Sequence, residues 1–407
     1  MADQLLTLNA GSSSVKFALF DAVEVAAASG TTLPRALWSG QAEGLGVGLA
    51  ARLTVKDARG NTLRDAGLSQ ADATHAGALE AMLAWRARHD GSARIRAVGH
   101  RIVHGGTRFT EPVHIEAAVL EELERLAPLA PLHQPHNIAG VHAAMRTFVG
   151  VPQLACFDTA FHATQSDVNR RFALPRTLYD AGVRRYGFHG LSYESVVAQL
   201  PSLDPELLQA RVVVAHLGNG ASMCAVQGAR SVATTMSFSP LDGLAMGTRC
   251  GQLDPAVVLY LMEQQGMSVA AVTRLLFRES GLLGLSGISS DMRTLEASRD
   301  PAATLAVGYF VEQVVQHVGK MAAAMRGIDA IVFAGGIGEN SASLRSAVLS
   351  RLGWLGVQPD TVANQGNGPR ITKPDSPIPA WVVHTNEEAV IARHVARTLH
   401  ASPDRAY

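Results

Sequence analysis

Apolar and polar positions along the chain alternate in patterns that predict elements before any residue chemistry is considered. Residues 8–21, LNAGSSSVKFALFD, give an apolar run, a Gly-Ser-Ser-Ser turn with three hydroxyls, a lysine, and alternating apolar residues that close on Asp21. The pattern predicts a β-hairpin. Such a turn offers backbone N–H groups and hydroxyls to an anion, Lys16 adds a positive charge, and Gly11 lets the chain bend without a Cβ clash. Taken alone it could equally be an ordinary Ser-rich turn. A second hairpin of the same design follows at residues 212–227, VVVAHLGNGASMCAVQ, in which Asn219, Gly218 and Gly220 can take left-handed turn conformations. Two phosphate-type hairpins point to a duplicated architecture. From Asp329 a buried strand, a Gly-Gly turn and a helix start follow, with Asn340 or Ser341 as N-cap, a segment suited to a nucleotide's adenosine.

Between these landmarks the periodicity predicts a helix over about 71–89, a strand from Ile95 to Val103, a helix over about 114–127, and a helix beginning near Asn386. Residues of about 40–66 form a charged, Gly-rich stretch without an assigned element. Residues 358–379, rich in Gly, Pro, Asn and Asp, read as loop or irregular strand, and 401–407 as a frayed tail. The expected layout is an α/β protein of two lobes around a cleft. Residues 1–151 with about 386–407 form the first lobe and 152–385 the second.

Length and composition agree with that layout. A chain of 407 residues exceeds the usual single core. Its 47% hydrophobic and 17% charged content excludes a disordered chain, and its formal net charge of zero gives no basic tract for nucleic acid or an acidic membrane surface. Any anion-binding charge must therefore be local. No apolar run approaches a membrane-spanning length, the N-terminus lacks a basic leader, and Cys156, Cys224 and Cys250 show no CxxC spacing, so reduced thiols in the cytoplasm are expected. Cys250 follows Arg249, where a cation could lower its thiol pKa, but an inert thiol is the expected state. The GxxxxGK[ST] loop does not occur, and Gly336, Gly338 and Ser341 only approximate a dinucleotide fingerprint without its early βαβ context. His100 and His104 are spaced i,i+4 but lack the HExxH glutamate, which argues against zinc.

Ten blocks in one order carry a resemblance over nearly the whole chain. They are LNAGSSSVKF, VGHRIVHGG, APLHQPHN, CFDTAFH, RRYGFHG, AHLGNGAS, SPLDGLAMGTRCGQLDP, GISSDMR, AGGIGEN and TNEEAVIAR. The sequence resembles the acetate kinase family of short-chain acyl kinases. That resemblance implies a duplicated actin-like ATPase fold of the ribonuclease H type, phosphoryl transfer between ATP or ADP and acetate or another short-chain acid, a Mg²⁺ (or Mn²⁺) cofactor, and a homodimer. It also implies site roles. Asp158, His189 and Arg249 match catalytic positions, and Arg101, Val103, Leu132, His133, Phe188 and Pro240 match those that receive the acid. The nucleotide would be held by Lys16, by His216, Leu217, Gly218, Asn219 and Gly220, by Asp291, Met292 and Arg293, and by Gly336, Ile337, Gly338, Glu339 and Asn340. Asn9 and Glu387 match the metal-contacting positions, with Glu388 adjacent and able to fill the same role.

The implied chemistry suits these residue types. Transfer of a γ-phosphoryl to a carboxylate requires two anions in line and neutralisation of charge spread over three equatorial oxygens, for which arginine forks converging from both lobes are suited. A carboxylic acid is already ionised at neutral pH and needs no general base, so Asp158 is expected to orient an arginine or a metal-bound water. Val103 is the branched side chain of an acetate-sized pocket. Ala233, Cys250 and Gln252 depart from the Asp, Ser and Asp that are common there in the family.

Overall fold

A computed structural model describes residues 3–11, 13–28, 31–46, 51–89 and 93–401. The expected tail from Ser402 onward lies outside them. The chain divides into two compact units, residues 1–161 with 386–407, and residues 162–385.

The first unit holds an eight-stranded sheet. Its strands are β1 (Asp3–Ala10), β2 (Ser14–Asp21), β3 (Trp38–Glu43), β4 (Arg52–Asp57), β5 (Thr62–Gly67), β6 (Arg94–Ile102), β7 (Val113–His114) and β8 (Gln153–Phe157), in the order β5-β4-β3-β2-β1-β6-β8-β7. β1 is buried along most of its length because it is central, with antiparallel β2 on one side and parallel β6 on the other. Central strands covered on both faces read as continuous apolar runs. The hairpin closes with Asn9 opposite Lys16, and the Gly11 amide donates to the Ser14 carbonyl at 2.8 Å. Gly11 does not take a positive φ. It is needed for room, since a Cβ there would sit 3.2 Å from Ser14 Oγ.

Helices cover the sheet. His75–His89 contributes Leu79, Met82 and Trp85 to a core shared with Leu6, Leu8, Phe17 and Leu19. The helix Glu387–Ala401 crosses the β1–β6 pair, where Gly99 leaves no room for a side chain: a Cβ there would meet Ile391 and Val395 at 2.5 and 2.6 Å. The described residues of the 40–66 stretch belong to the antiparallel meander β3-β4-β5. Its alternation Leu53 and Val55 in, Thr54 and Lys56 out, is a strand signal that its charges obscured.

The second unit holds a five-stranded sheet, β9 (Arg211–Leu217), β10 (Ala221–Gln227), β11 (Arg230–Thr234), β12 (Ala330–Ala334) and β13 (Ala380–Val382), ordered β11-β10-β9-β12-β13. The 25-residue helix Pro301–Met325, N-capped by Asp300, lays Phe310, Val314, Val318 and Met321 into its core. Strand directions repeat those of the first unit. In each, a first strand pairs antiparallel with a second that pairs antiparallel with a third, and on its other side pairs parallel with a fourth that pairs parallel with a fifth. The sets are β1, β2, β3, β6, β8 and β9, β10, β11, β12, β13, save that the second set ends at β13 and the first carries β4, β5 and β7 as extras.

Two expectations need correction. After β12 the chain enters the helix Gly335–Asn340 directly, without a Gly-Gly turn, because Gly335 at φ +74° turns the backbone in one residue. Ser341 then caps the following helix, accepting from the Leu344 amide at 3.1 Å. Within residues 358–379 there is a short helix, Thr361–Gln365, whose N-cap Asp360 accepts from two backbone amides.

Candidate functional site

In the first unit a group of charges assembles where β1, β6 and β8 end. Arg101, second from the end of β6, grips Asp158, the residue after β8: Nε lies 2.9 Å from Oδ1 and Nη2 2.5 Å from Oδ2. Nη1 of the same guanidinium donates to Asn9 Oδ1 at 3.1 Å, and Glu387, at the start of the returning helix, lies 3.7 Å from Nε. Parallel pairing of β6 with both β1 and β8 puts these residues side by side, although they are far apart in sequence.

Asp158 is 1% exposed, whereas Arg101 is 23% exposed. Burial alone would lower the Arg101 pKa, but the carboxylates of Asp158 and Glu387 outweigh it and hold the guanidinium above its ordinary value. The Glu387 carboxyl is pushed up, chiefly by burial and also by Glu388, against the opposing charges of Arg101 and Lys16. Lys16 is exposed and stands opposite Asn9 in the register. Val103 is buried, and Leu132 and His133 are half-buried just before the helix Gln134–Thr147.

The second unit gathers hydroxyls, imidazoles and one arginine. His189 has a left-handed backbone (φ 59°) at the start of the helix Gly190–Leu203, and its Nδ1 lies 2.9 Å from Ser222 Oγ on β10. Ser222 Oγ is in turn 2.5 Å from the buried Tyr193 hydroxyl. The His216 ring, bonded through Nδ1 to Ser192 Oγ at 2.7 Å, lies 4.5 Å from that of His189. Both His189 Nε2 and Arg249 Nη2 approach the turn backbone to 3.5 Å from where a Gly220 Cβ would stand. Arg249 Nη1 donates to the carbonyl of buried Pro240 at 2.8 Å. Phe188 is buried, and its carbonyl bonds His162, whose burial holds the imidazole to about 4.

A cavity of about 530 Å³ lies beside this turn, within the second unit. Of the residues expected on the nucleotide, Gly218, Asn219, Asp291, Met292, Arg293, Gly336, Ile337 and Asn340 line it; His216, Leu217, Gly220, Gly338 and Glu339 do not. Leu217 and Gly338 are buried in packing. Glu339 turns to the backbone, accepting from the Gly335 amide at 3.0 Å and the Thr385 amide at 3.2 Å. Asp291 is held to about 2 by the Arg293 side chain.

Gly218, Asn219 and Gly220 have no positive φ, contrary to expectation. Close approach at this turn depends instead on Gly247, where a Cβ would be 1.9 Å from Asn219 Oδ1. The inert thiol expected at Cys250 holds, since burial raises its pKa.

Sequence reasoning passed over Ser222, Tyr193 and Ser192, which the β9–β10 register and one helix face bring to the two histidines. It also passed over Arg345, fully buried, which donates to the carbonyls of Gly338 and Glu339 at 2.8 and 2.9 Å and so fixes the end of the helix that borders the cavity. An arginine on an otherwise apolar helix face was the available signal. Among the described residues no three His, Cys, Asp or Glu side chains group as a metal cage.

The pattern of the Acetokinase family matches residues 4–393. The chain belongs to that family. It is 51% identical to the acetate kinase of Methylocella silvestris over 402 residues, 98% of both chains. The acetate kinase of Porphyromonas gingivalis superposes with a TM-score of 0.84 at 36% identity, covering 98% of this chain and 100% of that one. A propionate kinase from Francisella tularensis gives 0.88 at 36% identity, covering 96% and 98%. The duplicated two-sheet fold is thus the fold of these kinases.

Proposed function

We propose that the protein transfers the γ-phosphoryl of ATP directly to acetate, giving acetyl phosphate and ADP, and runs in reverse because an acyl phosphate can phosphorylate ADP. The observation that carries this reading is the Arg101–Asp158 pair. A buried carboxylate locks one edge of a guanidinium that remains partly open, which suits an arginine kept for a small anion rather than for a surface ion pair. In this role Asp158 orients Arg101 and abstracts no proton, since acetate arrives ionised. His189 and Arg249 serve the transferring group, as a hydrogen-bonding group and a fixed cation beside the Gly218–Gly220 turn. The 530 Å³ cavity takes the nucleotide, with Gly336, Ile337 and Met292 against the base.

Asn9 and Glu387 offer an amide and a carboxylate oxygen beside β1, hard donors too few to enclose a metal, which is the donor set Mg²⁺ accepts while keeping its waters. When bound there, Mg²⁺ would neutralise charge on the β- and γ-phosphates. We further infer a homodimer. The helix Pro255–Glu263 has an apolar sequence yet buries none of its residues, with Leu259 57% and Tyr260 53% exposed. A cytoplasmic location accords with three cysteines that form no disulfide and with the finding that, among the described residues, no helix is long and apolar enough to cross a membrane.

The test is hydroxylamine trapping of acyl phosphate with ATP, Mg²⁺ and formate, acetate, propionate or butyrate. A kcat/KM peak at acetate supports the reading. A peak at propionate, favoured by the fold match to a propionate kinase, would keep the mechanism and overturn the pocket role of Val103. No hydroxamate with any acid would sink the kinase assignment.

A further inference from the structure

Beyond their last backbone pairing, Leu8 with His100, the ends of β1 and β6 are tied by two side-chain links. The first link, Arg101 Nη1 to Asn9 Oδ1, uses a guanidinium that the proposed reaction needs for its substrate. The second lies deeper and is uncharged. Asn137, 6% exposed on the helix Gln134–Thr147, donates from Nδ2 to the Ala10 carbonyl at 2.7 Å and accepts at Oδ1 from the Val103 amide at 2.9 Å. Because one partner is a carbonyl and the other an N–H, the orientation of the amide is fixed: reversed, it would set like against like. Ala10 closes the strand that carries Asn9 and opens the phosphate-type turn. Val103 is the residue just past β6, two after Arg101, on the segment proposed to hold the acid.

The helix bearing Asn137 is itself pressed onto the hairpin. Gly140, one turn on, leaves no space for a side chain, since a Cβ there would sit 2.6 Å from that of Ala10. From a second helix His75 Nε2 bonds the Gly11 carbonyl at 2.7 Å.

We propose that Asn137 is a positioning residue: it fixes the spacing of the phosphate hairpin and the acid-binding strand, so that Arg101 can exchange Asn9 for a substrate carboxylate without the two strand ends parting. This rests on the kinase reading above. Both hydrogen bonds of Asn137 are buried away from ligands, whereas the bond of Arg101 to Asn9 belongs to a partly exposed guanidinium and is open to competition. A displacement of about 1 Å between the two reactant sites costs on the order of a hundredfold in rate.

The decisive comparison is of Asn137→Ala and Asn137→Asp with the native enzyme, at a temperature where near-ultraviolet circular dichroism shows all three folded. For Asn137→Ala we expect kcat to fall about a hundredfold, with a much smaller rise in KM for either substrate. Asp is the telling variant. Protonated, its O–H donates to Ala10 and its C=O accepts from Val103, as the amide does; ionised, it turns an oxygen on the Ala10 carbonyl. Its activity relative to native should therefore climb about tenfold as pH falls from about 8 toward 5.5, burial raising the carboxyl into reach. The titratable and charged neighbours on the packed elements, His75, His133, His136, Arg101 and His104, are common to both proteins and cancel in the ratio. A folded Asn137→Ala enzyme within about threefold of native kcat, or an Asp ratio flat with pH, would overturn the proposal. If the native protein itself forms no acyl phosphate, it is the kinase reading that fails.

Discussion

At the end of β1 the side chains are ionic: Arg101 pairs with both Asp158 and Glu387, and Asp158 is almost wholly buried. At the end of β9, in the topologically matching position of the other unit, they are hydroxyls and imidazoles: Ser222 on Tyr193 and His189, Ser192 on His216. The same strand order has thus been furnished in two ways. A buried ionic group ties stability to the reacting residues, because removing one partner leaves an unpaired charge away from water, whereas a neutral group leaves only an unmet hydrogen bond. The first unit should therefore pay for its chemistry in fold stability and the second should not.

Alanine substitution of the two arginines tests that contrast most severely. Both Arg101→Ala and Arg249→Ala should lower turnover by about a thousandfold. Arg101→Ala should also cost about 3 kcal/mol by stranding Asp158, while Arg249→Ala, whose Nη1 meets a neutral carbonyl, should stay within about 1 kcal/mol. Urea unfolding of both variants decides it; equal stability losses would erase the distinction.

Acid should act in the same direction. His100 and His104 in the first unit, and His162 in the second, are each held to about 4 by burial. A histidine depressed in the folded state contributes nothing adverse above its ordinary value, near 6.5, and takes stability away as pH falls from there toward the depressed value. Up to about 3 kcal/mol per histidine would be lost between those limits. Hydrogen exchange compared at neutral and acid pH should show β6, which carries His100, losing protection before β9; the reverse order would contradict the contrast.

A smaller effect separates function from stability at one residue. Since burial raises the Glu387 carboxyl, its ionisation is a cost to the folded state that is present at neutral pH and vanishes below the usual glutamate range. Glu387→Gln should raise Tm by about 2 °C near pH 8, lose that gain in acid, and lower the apparent affinity for Mg²⁺. A lower Tm at pH 8 would mean that attraction to Arg101 prevails. Smallest of all, Val103→Ala should shift the propionate-to-acetate ratio of kcat/KM about fourfold toward propionate, one methylene's worth.

The sequence displayed its hairpins because central strands covered on both faces are apolar without interruption, and the turns between them are small and polar. It hid β3–β5, where an edge meander leaves one face in water and surrounds its few buried residues with charge. Left-handed backbone was expected at Asn219 and occurs instead at His189, where the chain must reverse into a helix between Phe188 and Gly190; nothing in the residue types foretells that. Contacts made through register, such as Ser222 on His189 or Asn137 on Ala10, depend on which strands become neighbours. No local pattern encodes this. The Arg101–Asp158 pair was legible only as two motifs, and its geometry came with the parallel pairing of β6 and β8.

The helix Glu387–Ala401 closes a sheet whose first strand begins at Asp3. On the ribosome, residues 162–385 emerge as one uninterrupted stretch and can fold as soon as they are clear. The strands made first must wait with the apolar face of β1 and β6 uncovered until Ile391 and Val395 arrive to seal it over Gly99. The unit begun before the second is therefore completed after it. In the interval it is the part most in need of shelter from other nascent chains.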